Sequence, residues 1–94
     1  MAFSIKYGAL AHEQIRNLRA FERAAILKQI DKLLTIAPNQ ESKTTIKLLR
    51  QPALSQYRLR VGNYRVFYRV ENEEVLIVQV LHKQDIQANT EEGV

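Results

Sequence analysis

The chain has no cysteine in its 94 residues. That excludes disulfides and thiolate chemistry, and it fits a reducing compartment. Two histidines and no cysteine leave little to hold zinc, so neither a metal nor a cofactor is expected. Three glycines are too few for a phosphate loop, and neither GxGxxG nor a P-loop pattern occurs. No acidic pair or triad is spaced for catalysis. No apolar run approaches a membrane span, and the N-terminus lacks the charged-then-apolar layout of a secretion signal. The expectation is a cytoplasmic protein with no membrane partner. The length suits one small domain, residues 1–94, with a single core.

Acid is missing from one long stretch. Lys43, Lys47, Arg50, Arg58, Arg60, Arg65 and Arg69 fall in a segment with no Asp or Glu. The formal net charge of +4 understates this, because after His82 the chain sets Lys83 against Asp85, Glu91 and Glu92. A basic block followed by a mildly acidic tail points to a polyanionic partner. A merely solvated basic surface is the alternative.

The centre of that block reads as a tight β-hairpin, Tyr57-Arg-Leu-Arg-Val-Gly-Asn-Tyr-Arg-Val-Phe-Tyr-Arg69. Gly62-Asn63 suits a two-residue turn. Val61 then sits opposite Tyr64, Arg60 opposite Arg65, Leu59 opposite Val66 and Arg58 opposite Phe67. Side chains alternate across a strand, and opposed residues share a face. One face carries Leu59, Val61, Tyr64, Val66 and Tyr68. The other carries Arg58, Arg60, Arg65, Phe67 and Arg69. Facing Arg60 with Arg65 costs repulsion, which an anion bound there would relieve.

Elsewhere, the alternation of Phe3, Ile5 and Tyr7 predicts a strand over 2–7. Helices are predicted over about 9–18 and 21–36, or one helix kinked near Arg19-Ala20. Pro38 ends the second helix. A polar loop covers 38–45, a short extended segment 46–49 and a turn 51–55. Asn72-Glu73 serves as a turn before a strand over 75–81. An unbroken register puts Val75, Ile77 and Leu81 toward the helices. It puts Leu76, Val78, Val80 and His82 on the arginine side. Residues 84–94 are weakly patterned, a short helix or loose tail. The order is β-α-α-β-β-β: an α+β, two-layer fold with an antiparallel sheet and two N-terminal helices on one face. Phe67, Leu76, Val78 and Val80 then form an apolar strip on the other face. Such a strip is either a partner site or covered by the tail.

Arginine forks suit phosphate, and Arg58, Arg60 and Arg65 on one face could grip a phosphodiester and stabilise charge during its cleavage. His82 on that face could move a proton, and Lys83 could reach the same groove. Lys43, Lys47, Arg50 and Arg69 would extend the nucleic-acid contact. Tyr57, Tyr64 and Tyr68 face the helices and read as core.

These residues resemble the RelE/ParE superfamily of toxins from bacterial type II toxin–antitoxin modules. The likeness covers nearly the whole chain in order of elements. Its most specific part is Tyr57 to Tyr68, a YRxRxGxYRxxY-like pattern, followed by the Val-Leu-His-Lys strand ending at Lys83. The resemblance implies a RelE-like fold and a cognate antitoxin as partner. It implies one of two targets. RelE-like members are mRNA interferases, endoribonucleases that act in the ribosome on mRNA and block translation with the RNA 2′-hydroxyl as attacking group. ParE-like members poison DNA gyrase. Carried over, the family's catalytic basic positions fall on Arg58, Arg60, Arg65 and Lys83, with His82 beside them. Where many active nucleases have a late tyrosine, this chain has Asn89. Where a lysine can act as base, it has Arg60, which is too firmly protonated for that role. The Val-Leu-His ending with Asp85-Ile86 is reminiscent of gyrase-directed members. The implied function is a translation-blocking toxin. The alternatives are a gyrase inhibitor or a catalytically weak RNA-binding member of the family.

Overall fold

A computed structural model describes residues 2–50 and 55–89. The expected turn at 51–55 lies outside them apart from Ser55, as do tail residues 90–94. Among the described residues nine elements follow one another. They are β1 (Ser4–Tyr7), α1 (Ala9–Arg16), α2 (Ala20–Gln29) running into a π-helical turn (Ile30–Leu34), β2 (Ile46–Leu48), β3 (Tyr57–Val61), β4 (Tyr64–Glu71), β5 (Glu74–His82) and α3 (Lys83–Asn89). The five strands form one sheet in the order β1-β5-β4-β3-β2. The two-layer α+β fold expected from the sequence is thus present. The order β-α-α-β-β-β gains two elements, because the short extended segment becomes the edge strand β2 and the start of the tail becomes α3. The sheet also differs in one pairing: β1 joins its edge parallel to β5, while every other pairing is antiparallel. A strand separated from its neighbour by most of the chain has no tight turn to force it antiparallel.

The two N-terminal helices are separate, although no glycine or proline divides them. Arg19 takes an extended conformation ahead of α2. Arg23 reaches back from α2 to the end of α1. It donates from Nε to the Ile15 carbonyl at 3.3 Å, and from Nη2 to the carbonyls of Arg16 at 3.2 Å and Leu18 at 2.9 Å. Carbonyls at a helix end lack intrahelical partners, and a guanidinium there suits the helix dipole. The second helix stops at the π-helical turn, and Pro38 is buried just beyond it.

Ala11, Ile15, Ile26, Ile30 and Leu34 from the helices pack on Ile46, Leu59, Val66, Tyr68, Val75, Ile77 and Val80 from the sheet. Tyr57 and Tyr64 pack against this core, and Tyr57 stacks on Tyr68 with centroids 5.5 Å apart. The Tyr68 hydroxyl donates to the Pro38 carbonyl at 2.6 Å, tying the sheet to the loop after the helices. Burial and the nearby Tyr57 hold the Tyr68 phenol well above its ordinary pKa.

Both turns obey their sequence. Gly62 has φ +57° while Asn63 does not turn positive, the signature of a type II′ hairpin turn. Asn72 takes φ +57° in the next turn, a conformation Asn tolerates better than other side chains.

Candidate nucleic-acid interface

The β3–β4 hairpin has the predicted pairing: Val61 with Tyr64, Arg60 with Arg65, Leu59 with Val66, Arg58 with Phe67, and Tyr57 with Tyr68. On the adjoining edge, Lys47 of β2 stands opposite Arg58. Three neighbouring strands therefore place Lys47, Arg58, Arg60 and Arg65 on the sheet face away from α1 and α2. Arg69 shares that face, opposite Leu76, and its guanidinium pairs with Glu71 at 3.2 Å. Lys43 is exposed in the loop before β2, and Arg50 is exposed just after Leu49. Arg65 folds back on the hairpin turn, donating from Nη1 to the carbonyls of Gly62 and Tyr64, each at 3.0 Å. Among the described residues, no ion pair involves Lys47 or Arg60. At those two positions an anion can bind without first breaking an internal pair.

The fifth strand departs from its expected register. A bulge opposite Phe67 and Tyr68 leaves Val78 as an extra residue, so Gln79 pairs with Phe67, Val80 with Val66, Leu81 with Arg65 and His82 with Tyr64. Beyond the bulge every side chain changes face. Leu81 joins the arginine side, whereas an unbroken register places it toward the helices. Val80 and His82 turn toward the helices, whereas an unbroken register places them with the arginines. The Val80 amide donates to Oε1 of Gln14 in α1 at 2.7 Å. The His82 ring meets Tyr64 edge-on, with centroids 5.2 Å apart.

The expected apolar strip is dispersed for the same reason. Val80 belongs to the helix-side core, Val78 sits in the bulge, and Leu76 remains exposed at 36%. Phe67 is on the arginine face but fully buried, in a small second core with Leu49, Leu81 and Ile86 of α3. The tail alternative therefore holds at Phe67: α3 covers it.

Lys83 begins α3, and its amide donates to the Asn63 carbonyl at 2.7 Å. It thus lies at the hairpin turn, directly after Leu81 and His82, with its side chain exposed. The structure brings Lys47, Arg58, Arg60, Arg65 and Arg69 together and leaves His82 on the other side of the sheet. Around Tyr64, on which His82 packs, lies a group that the sequence pattern does not signal. Burial first, and then the hydrogen-bonded Glu22 carboxylate, raise the Tyr64 phenol above its ordinary pKa, with Arg19 opposing. No pattern near Glu22 signals this contact.

Elsewhere, a concavity of about 420 Å³ is lined by Tyr7, His12, Ile15, Arg16, Arg23 and Leu27 on the helix side. Its Arg23 is committed to the α1 carbonyls, and its Arg16 pairs with Glu13 at 3.5 Å. Among the described residues no group of His, Asp or Glu is arranged to hold a metal ion. No helix among them is long and apolar enough to cross a membrane.

A family model described as the ParE toxin of the type II toxin–antitoxin system parDE matches residues 5–87. The chain belongs to this family. It is a RelE/ParE-type toxin. Solved structures similar to this toxin include the RelBE2 toxin–antitoxin complex from Mycobacterium tuberculosis, with TM-score 0.70 and 23% identity over 87% of this chain and 99% of that one. The RelB–RelE complex from Methanococcus jannaschii has TM-score 0.69 and 21% identity, over 89% and 96%. A double arginine-to-alanine mutant of the E. coli toxin RelE, in the free state, has TM-score 0.62 and 18% identity, over 98% and 95%. At these identities the likeness is one of fold. No curated protein matches the toxin in sequence.

Proposed function

We propose that this toxin blocks translation in the cytoplasm by cleaving mRNA on the ribosome, as an endoribonuclease. The observation that carries this reading is the alignment of Lys47, Arg58, Arg60 and Arg65 on one face of three adjacent strands. Guanidinium forks gathered on one sheet face suit the phosphates of a single strand, and they stabilise charge developing on a phosphorus centre. In this reading Arg58, Arg60 and Arg65 hold the scissile phosphate. Lys43, Lys47, Arg50 and Arg69 guide the flanking backbone, and Lys83 serves the leaving oxygen. His82 has no part in it, because it pairs with Tyr64 on the other face. The RNA 2′-hydroxyl gives its proton to solvent water and attacks the adjacent phosphorus, and the P–O5′ bond breaks with the 5′-oxygen taking a proton from Lys83. The products are a 2′,3′-cyclic phosphate and a 5′-hydroxyl.

A cognate antitoxin is the second partner. The similar M. tuberculosis and M. jannaschii structures are antitoxin–toxin complexes, which supports this by analogy. Leu76, exposed beside Arg69, is the member of the expected strip still open to such a partner.

One observation favours a second reading, inhibition of DNA gyrase. With His82 turned away, the arginine face has charge but no imidazole among the described residues. A surface that grips without moving protons suits a binding poison, and the ParE description of the matching family is consistent with it. Mapping mRNA 5′ ends after induction, together with an assay for DNA breaks, separates the two. New 5′-hydroxyl ends without DNA breaks support cleavage. DNA breaks with intact messages support the gyrase reading and overturn the first.

A further inference from the structure

Gln79 is the one polar residue in the run from Val75 to Leu81. An unbroken β5 would aim it at the helices beside Ile77, where burying an amide is costly. The bulge at Val78 prevents this. Past the bulge Gln79 pairs with Phe67 on the arginine face, where it is half-buried. Bulges commonly re-aim a side chain next to an active site. Gln14 of α1, accepting from the Val80 amide at 2.7 Å, holds the shift in place.

The pairings set Gln79 at the end of a row across four strands. Lys47 of β2 stands opposite Arg58 of β3, Arg58 opposite Phe67 of β4, and Phe67 opposite Gln79. Arg65, opposite Leu81, is the diagonal neighbour of Gln79 at about 7–8 Å. A sugar bridges that span between a phosphate and its base. Among the described residues the Gln79 side chain makes no hydrogen bond. Its amide is therefore available to a ligand on this face.

Phosphate contacts position a strand without reading its sequence, so the bases need a partner of their own. An aromatic ring is not that partner here. Phe67 is fully buried, and Tyr57, Tyr64 and Tyr68 pack on the helix side. Phe3 packs against the same core, Tyr7 lines the helix-side concavity, and Phe21 belongs to α2. These are all the phenylalanines and tyrosines of the chain, and it has no tryptophan.

We propose that Gln79 reads one base of the bound strand and prefers adenine. The proposal rests on the nucleic-acid reading of the arginine face. A primary amide presents an N–H donor and a carbonyl acceptor side by side. Of the four bases, adenine alone answers that pair on its Hoogsteen edge, through N6–H and N7, as well as on its Watson–Crick edge, through N6–H and N1. With its phosphates on Arg58, Arg60 and Arg65, the strand turns one base toward β5, where the amide meets its edge.

Fluorescence anisotropy of the full chain with two single-stranded RNAs tests this. One is oligouridylate, and the other is the same strand with a single central adenosine. The adenosine strand should bind about fivefold tighter or more, as one bidentate contact provides. Gln79→Leu, which has no amide, and Gln79→Glu, which has no N–H donor, should each bring the ratio of the two affinities to one. Arg60→Gln should weaken both strands and preserve the ratio. A ratio taken on one preparation is unaffected by any loss of folded protein. Equal binding of the two strands by the unsubstituted chain overturns the proposal, and so does a preference that survives in Gln79→Leu. Failure to bind either strand overturns the nucleic-acid reading as well.

Discussion

Arg60 and Arg65 stand directly opposite one another on β3 and β4, both on the sheet face that the N-terminal helices leave uncovered. Like charges in that relationship destabilise a hairpin by an amount on the order of 0.2–1 kcal/mol. An anion held between the two would offset that cost, and the nucleic-acid reading predicts one there.

Arg60→Gln should therefore raise the thermal midpoint slightly or leave it unchanged, while weakening RNA binding. Each phosphate no longer neutralised should also flatten the dependence of log affinity on log salt by roughly 0.7 for a single strand. Binding to a single-stranded RNA across a salt series, beside a melting curve, checks both. A variant that loses stability and keeps the wild-type salt slope would mean that Arg60 is structural.

Phe67 and Leu76 should part company. Phe67→Ala empties a fully buried site beneath α3 and should cost about 3–5 kcal/mol by denaturant unfolding. Leu76→Ala removes an exposed side chain and should fall within about 0.5 kcal/mol of wild type. If Leu76 also touches the antitoxin, the substitution shows in complex affinity and not in unfolding.

Gln14→Leu should remove the acceptor of the Val80 amide at the bulge, leaving a buried donor unpaired at a cost of about 1–3 kcal/mol. Hydrogen exchange at the Val80 amide should accelerate more than at Ile77. Uniform acceleration across β5 would show instead that the whole strand loosened.

Alkaline stability should be limited by tyrosines. The phenols of Tyr7, Tyr64 and Tyr68 are all raised in the folded state, each by burial first. A group whose folded pKa exceeds its unfolded value contributes fully below the unfolded value, about 10 for tyrosine. It loses that contribution as pH rises toward the folded value. Unfolding free energy should thus be flat from neutrality to about pH 9 and decline above about pH 10. Tyr68→Phe should soften the decline, while losing about 1–3 kcal/mol at neutral pH because the Pro38 carbonyl is left without its donor.

The hairpin was legible because its information is local. Gly62 sets the turn, and alternation then assigns every residue from Tyr57 to Arg69 to a face. The helices were legible from their apolar stripe, although their corner depends on Arg23 rather than on a helix breaker. The face of His82 was not legible. Val75 to Leu81 is a run of strand-forming residues with no glycine to betray a bulge. The acceptor that stabilises the bulge, Gln14, is 66 residues away in sequence. One extra residue at Val78 therefore moves His82 and Val80 to one side and Leu81 to the other. The cover over Phe67 was equally hidden, since a single Ile86 in a weakly patterned tail supplies it.

The most direct test of the arginine face is transcriptome-wide mapping of mRNA 5′ ends after inducing the wild-type toxin and Arg65→Ala in parallel. The predicted result is new 5′-hydroxyl ends and growth arrest with the wild type, and neither with Arg65→Ala, which should still form its antitoxin complex. Arrest by Arg65→Ala equal to wild type, or arrest by wild type with intact messages, would contradict the account.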